Sequence, residues 1–261
     1  MNLQANTVLI TGGTSGIGKE LARQLLALGN TVIVTGRDEG RLLAAGERLG
    51  GVHALRCDVD DPASVRELHA RAVAEHPGIN MLINCAGIMR KIDLQRVGDD
   101  LEDLTREVRT NLNGTMWMNA VFVPHLLRQP NAAIVNVSSG LAFIPMPIAP
   151  VYSASKAAVH AYTVALRLQL KNTGVKVFEL AAPGTDTPLF HGDFDEDDTR
   201  GVRPMAVQPM VVRALAGLRR DELEIRPGMA NVLKLFSRLS PGFVLKRMER
   251  QVALMQARAQ R

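Results

Sequence analysis

Short β-branched apolar runs alternate along the chain with longer amphipathic ones, the pattern of strands joined by crossover helices. TVLIT at Thr7–Thr11 predicts a strand, Ile17–Leu28 a helix and TVIVT at Thr31–Thr35 a second strand. Helices are predicted near Glu39–Leu49, Pro62–His76, Asp99–Leu127, Tyr152–Lys171 and Pro209–Arg219. Strands are predicted near His53–Cys57, Met81–Asn84, Ala133–Val137, Val175–Leu180 and Glu222–Ile225. MLIN and AAIVNV are apolar nearly throughout, as strands of a parallel sheet covered on both faces must be. The expectation is an α/β fold: one doubly wound, Rossmann-like parallel sheet of about seven strands with helices on both faces.

No Pro/Gly/Ser linker and no fixed-period repeat divides the chain, so residues 1–261 are read as a single domain. Residues 186–208 lack a clear period and mix the acidic run Asp193–Asp198 with Leu189, Phe190, Val202, Pro204 and Met205. A long irregular stretch inside a compact domain is usually functional, and this one reads as a lid.

Composition narrows the picture. Of 261 residues, 46% are hydrophobic and 22% charged, which excludes disordered, collagen-like and disulfide-scaffold chains. The net charge of +5 is unevenly placed: from Lys234 onward seven basic residues stand against Glu249 alone, leaving the body close to neutral. This basic extension, 229–261, fits a solvated terminal helix better than a nucleic-acid or membrane-binding segment. Cys57 and Cys85 lack metal-ligand spacing and read as small apolar residues of a reducing compartment. With no signal-peptide pattern at Met1–Asn6 and no run of about 18 apolar residues, a cytoplasmic protein without a membrane span is expected.

Candidate chemistry begins at Thr11-Gly12-Gly13-Thr14-Ser15-Gly16-Ile17-Gly18, which follows the first strand and opens the first helix. Glycines here allow a tight turn and close approach of a pyrophosphate to helix N–H groups. The spacing differs from G-x-G-x-x-G, and the turn alone is weak support. After the second strand stands Arg37, where an acid would accept from a ribose 2′-hydroxyl and an arginine can pair with a 2′-phosphate, so NADP is favoured over NAD. Asp58-Val59 after the third strand could hold an adenine amino group. Asn84-Cys85-Ala86-Gly87 after the fourth offers small residues where a ribose passes close to backbone.

At the other end, Tyr152 and Lys156 stand four apart on one face of a helix, separated by small residues. A neighbouring ammonium favours the phenolate. At about 4 Å and an effective dielectric near 20 the attraction is on the order of 4 kcal/mol, or about three pK units. Y-x-x-x-K alone is common in helices. Its company matters: Ser139 lies thirteen residues before Tyr152, Asn111 sits in the preceding long helix, and Pro183-Gly184-Thr185-Asp186-Thr187 follows the next strand. Carboxyl ends of parallel strands open on one crevice, which would bring Ser139 and Pro183 to the glycine loop.

These residues together resemble the short-chain dehydrogenase/reductases over about Thr7–Ile225: TGxxxGIG at Thr11–Gly18, NxAG at Asn84–Gly87, Asn111, Ser139, Tyr152, Lys156 and PGxxT at Pro183–Thr187. The runs Asn136–Pro145 and Pro124–Leu127 are similar to a subgroup named after a dehydrogenase encoded beside lipoteichoic-acid D-alanylation genes. The resemblance implies hydride transfer between a nicotinamide cofactor and a carbonyl or secondary alcohol. Tyr152 would exchange the proton, Lys156 would lower its pKa and bind the nicotinamide ribose, Ser139 would steady the substrate oxygen, and Asn111 would hold a water linking Lys156 to solvent. Gly12, Thr14, Ser15, Gly16, Ile17, Gly18, Arg37, Asp58, Val59, Asn84, Ala86, Gly87, Pro183, Gly184 and Thr187 would line the cofactor beside Tyr152 and Lys156. Cys85 stands where a second Asn is commoner, and Ser138 rivals Ser139 without its spacing.

The family also implies a homodimer or homotetramer through Asp99–Leu127 and Tyr152–Lys171, a small-molecule substrate and no nucleic-acid partner. A non-catalytic dinucleotide sensor is the alternative, although such proteins often lose the Tyr or Lys that this chain retains. An extended-branch epimerase and an enoyl reductase fit the spacings less well. Leu141, Phe143, Phe190, His191 and Met205 are candidate pocket residues. His125, His160 and His191 are scattered, and no metal is expected.

Overall fold

In a computed structural model, described for residues 1–195, 197–199 and 203–259, the chain forms a seven-stranded parallel sheet. The strands are β1 (Thr7–Thr11), β2 (Thr31–Gly36), β3 (His53–Arg56), β4 (Ile79–Asn84), β5 (Ala133–Ser139), β6 (Lys176–Ala182) and β7 (Glu224–Ile225), in the order β3-β2-β1-β4-β5-β6-β7. Every pairing is parallel. The order reverses between β1 and β4, and the crevice of such a sheet opens there, beyond the carboxyl ends of the strands.

The helices are α1 (Gly16–Ala27), α2 (Glu39–Leu49), α3 (Pro62–Glu75), α4 (Leu101–Leu104), α5 (Gly114–Leu126), α6 (Pro150–Gln169), α7 (Val207–Arg219), α8 (Met229–Leu239) and α9 (Pro241–Ala259). Alternate strand residues separate two cores. Val8, Ile10, Val32 and Val34 pack with Leu21 and Leu25 of α1 and Met210 and Leu215 of α7. Leu9 and Ile33 pack with Val65 and Leu68 of α3 and Met118 and Phe122 of α5. A period of two requires this division. Asn80 breaks the β1–β4 register, Thr7 facing Ile79 and Val8 facing Met81, and its Oδ1 accepts from Thr7 N at 3.0 Å. The irregularity thus keeps the backbone donor satisfied.

The predicted helix Asp99–Leu127 is the largest departure. It divides into α4, a π-helical turn over Val108–Asn113, and α5. Asn111 on the wide turn bonds both main-chain groups of Ile88, accepting from its N at 2.8 Å and donating to its O at 3.0 Å. A side chain committed to another segment outweighs regular helix, and π-turns often mark functional positions. The predicted strand Glu222–Ile225 shortens to Glu224–Ile225, while α7 gains a turn end at Val207. The extension beyond Gly228 folds into α8 and α9. Among the described residues, no helix is long and apolar enough to cross a membrane.

Candidate active site

Helix α6 starts with Pro150 at its first turn, where a missing N–H costs nothing, so Tyr152 and Lys156 fall in the opening turns. Both are buried, at 6% and 5% exposure. Ser139 ends β5, and its hydroxyl accepts from Leu141 N at 3.1 Å and hydrogen-bonds the Tyr152 phenol. Lys156 Nζ donates to Val137 O at 2.9 Å and lies 5.8 Å from the centre of the Tyr152 ring. Asn111 Nδ2 donates to Ser155 Oγ at 3.0 Å, tying the π-turn to α6. The four residues singled out in the sequence therefore meet at the carboxyl ends of β4 and β5.

Their electrostatics correct one expectation. Burial pushes the Tyr152 phenol up to about 12, against the Ser139 hydrogen bond, and pushes the Lys156 ammonium down to about 8. The ammonium donates to a carbonyl rather than to the phenol, so desolvation outweighs the attraction that the four-residue spacing suggested. Burial likewise pushes the thiols of Cys57 and Cys85 up to about 11, leaving both unreactive.

The glycine loop fits a dinucleotide phosphate. Asp38 caps α2 by accepting from Arg41 N, and Asp61 caps α3 by accepting from Ala63 N, yet Ser15 makes no side-chain cap on α1. The α1 amino end thus keeps its N–H groups open toward an anion. Gly12 (φ +66°) and Gly16 (φ +50°) take left-handed backbone, and a Cβ at Gly12 would lie 2.8 Å from Ala86 Cα. A Cβ at Gly16 would lie 3.1 Å from Thr187 Cγ2, placing Thr187 against the loop. A Cβ at Gly87 would approach Asn111 Oδ1 to 3.2 Å and Lys156 Nζ to 3.6 Å. Bare backbone therefore runs from the glycine loop to the lysine, a cradle suited to a ribose and pyrophosphate. Gly18→Ala would set a Cβ 2.4 Å from Gly12 O, so it is expected to cost about 1–3 kcal/mol, read as a lower melting temperature.

The remaining predicted cofactor residues divide. Thr14 touches the loop's far side, its Cγ2 being 3.2 Å from a Cβ at Gly36, and Ile17 packs on the core under α1. Arg37 is exposed and has no ion pair among the described residues. Asp58 accepts from Asp60 N at 3.1 Å, and buried Val59 supports the start of α5, with Val59 O 2.8 Å from a Cβ at Gly114. The Asn84 side chain donates to Asn119 and Asn136, each at 2.8 Å, in a buried network at the end of β4. Pro183 O accepts from Thr185 Oγ1 and Gly184 O from Met205 N, both at 2.8 Å.

Sequence reasoning places Thr11 at the head of the glycine motif without a role; its hydroxyl accepts from Cys85 N and Ala86 N at 3.0 Å each and locks the fourth-strand turn against the glycine loop. It reads 186–208 as a lid, Leu141 as a pocket residue and the extension after Gly228 as a segment that could cap the pocket, extend the oligomer or solvate, without the partners that build the roof. Tyr152 shares an apolar cluster with Ile148, Ala149, Phe194 and Met255, and Met89, Leu141, Met146 and Val252 pack against it. Phe194 comes from the lid and Val252 and Met255 from α9, about 100 residues from Tyr152, so no local signal could reveal them. Lys91 Nζ holds the almost fully buried Asp198 carboxylate at 2.6 and 2.8 Å, and Gln251 Nε2 donates to Asp198 O at 2.8 Å, joining lid, α9 and the loop after β4. Of the lid residues named above, Glu196 and Val202 lie outside the described residues.

Among the candidate pocket residues, Leu141 joins the cluster. Met205 instead packs on the core under α1 and α7, paired by backbone to Gly184 and Asp186. Phe143 lies under Lys234, 4.9 Å from Nζ, and edge-on to His160. Phe190 stacks edge-on to His191, which bonds Asp186 at 2.7 Å in solvent. His160, Glu179 and Glu224 converge behind β5. Ser138 and His160 bond Glu179, while Lys234 and Arg226 pair with Glu224, so the carboxylates already have partners and the network fastens α8 to the sheet.

The short chain dehydrogenase family model matches residues 6–198. Over 225 residues, 86% of this chain and 89% of the relative, the sequence is 43% identical to the oxidoreductase DltE of Bacillus subtilis. A short chain dehydrogenase from Burkholderia cenocepacia in complex with NADP superimposes with a TM-score of 0.79 at 28% identity, covering 95% of this chain and 99% of that one. A 3-ketoacyl-(acyl-carrier-protein) reductase from Brucella melitensis complexed with NADH gives a TM-score of 0.75 at 26% identity, covering 83% and 91%. With its doubly wound sheet, glycine loop and Ser139–Tyr152–Lys156 cluster, the chain belongs to the short-chain dehydrogenase family of oxidoreductases, as a DltE-like member.

Proposed function

We propose that the protein is a single-domain NADP-dependent reductase, working reversibly between a ketone or aldehyde and the corresponding alcohol. The convergence of Ser139, Tyr152 and Lys156 beside an uncapped glycine-rich helix start carries this reading. A bound nicotinamide would supply the hydride. Tyr152 gives its proton to the substrate oxygen. A phenol at about 12 is fully protonated at pH 7, the state needed to neutralise an alkoxide. Ser139 donates to the same oxygen and holds it against the phenol. Lys156 would hold the nicotinamide ribose, and Asn111 positions the residues around it through Ile88 and Ser155. Asp58 and the backbone at Val59 would receive the adenine, while Pro183, Gly184 and Thr187 would flank the nicotinamide.

The roof of Met89, Leu141, Met146, Phe194, Val252 and Met255 supports a substrate with an apolar body. Exposed Met116 on α5 and Val164 and Leu168 on α6 support an assembly with a second copy through those helices.

Arg37 supports NADP because it is exposed at the end of β2 with no competing ion pair among the described residues. Fluorescence titration should show NADPH binding at least about tenfold tighter than NADH, and Arg37→Ala should abolish the difference. Equal affinities in the parent protein would reject the NADP assignment, and absence of binding by both nucleotides would reject the enzyme reading.

A further inference from the structure

We infer that α8 and the start of α9 form a docking surface for an anionic lipid membrane. Helix α8 is two-sided. Ala230, Leu233, Lys234 and Ser237 face the body: Leu233 and Ala230 lie over Gly140, and Lys234 pairs with Glu224. On the opposite side Met229, Val232, Leu235, Phe236 and Leu239 are 60%, 40%, 57%, 38% and 72% exposed. Their spacing of three and four places them in one stripe along three turns. Phe243, 65% exposed, adds an apolar side chain at the start of α9. Soluble proteins seldom leave so many large apolar side chains contiguous and uncovered.

Charge selects the occupant. Arg238 on α8 and Lys246 at the start of α9 are exposed, and beyond Lys234, which Glu224 holds, the sequence carries six basic residues against Glu249 alone while the body is nearly neutral. A helix with an apolar face and a basic rim lies in a membrane interface, its side chains in the acyl boundary and its cations among acidic headgroups. A two-fold contact between copies through the same face would set these cationic segments against each other. The other side of α9 carries Val252 and Met255 over Tyr152, so the docked surface adjoins the roof of the catalytic cluster and a lipophilic substrate would have a short path to it.

Co-sedimentation with vesicles tests the inference, using phosphatidylcholine alone and phosphatidylcholine mixed with phosphatidylglycerol. The full chain should bind the mixed vesicles at least about tenfold more strongly than the neutral ones and should leave them at high salt. The triple variant Leu235→Ser, Phe236→Ser, Leu239→Ser and the double variant Arg238→Glu, Lys246→Glu should each lose at least about tenfold in binding while keeping the parent's NADPH affinity and circular dichroism. Equal binding to both vesicle types, or undiminished binding by either variant, overturns the inference. So does failure to bind vesicles, including the case where sedimentation velocity shows self-association that the triple variant abolishes. That result would assign the stripe to a second copy of the chain.

Discussion

Tyr152→Phe is expected to lower kcat for carbonyl reduction by about a thousandfold while changing NADPH affinity by less than about threefold. The substitution removes one hydroxyl from a side chain that is otherwise enclosed by Ile148, Ala149, Phe194 and Met255, so packing is retained. It deletes the hydrogen bond with Ser139, whose hydroxyl still accepts from Leu141 N. Steady-state kinetics with NADPH and an apolar ketone, together with a nucleotide titration, check both halves. Retention of a tenth or more of the parent rate would assign the proton to another group.

The second large effect is on stability against pH. In the folded protein the Lys156 amine titrates at about 8, against 10.5 for an ordinary lysine, because burial disfavours the ammonium. Between those values the unfolded chain holds a proton that the folded chain has lost, so this group makes stability rise with pH from about 8. Above 9 the buried thiols of Cys57 and Cys85, raised from 9.0 to about 11, act oppositely and offset that rise. Below 8 the full cost of the buried ammonium is present, at most roughly 3 kcal/mol. Above 10 Tyr152 acts oppositely: its folded value of about 12 lies above the ordinary 10, and stability falls as pH climbs through that interval. Lys156→Met should therefore be more stable than the parent at pH 7 by roughly 1–3 kcal/mol, lack the parent's rise from pH 8 to 9, and lose nearly all activity. Urea unfolding of both proteins at pH 7, 8, 9 and 10 is the measurement. Parallel stability profiles would mean that Lys156 is not desolvated in the folded state.

The two predictions differ in where their warrant lies. The identity of the proton donor rests on a spacing visible in the chain, whereas the pH dependence rests on the roof that α9 and the lid build over it. A sequence reader sees Tyr152 and Lys156 as an attractive pair on one helix face. The fold turns Lys156 toward Val137 O and closes apolar side chains around both, and the sign of the phenol's shift reverses.

Local periodicity by itself determined the seven strands, most crossover helices, the glycine loop after β1 and the register of Ser139, Tyr152 and Lys156. These features depend on neighbours a few residues apart, where alternation, capping and helical spacing act directly. Tertiary structure alone decided that the helix through Asn111 opens into a π-turn, because the competing hydrogen bonds come from Ile88 and Ser155. It alone moved Met205 under α7 and Phe143 under Lys234, and brought Val252 and Met255 to Tyr152. It also left the apolar stripe of α8 uncovered, although the same spacing would serve a buried helix equally well. Burial and desolvation are set by what packs from afar, and a chain's local pattern carries no record of which distant segment will supply the cover.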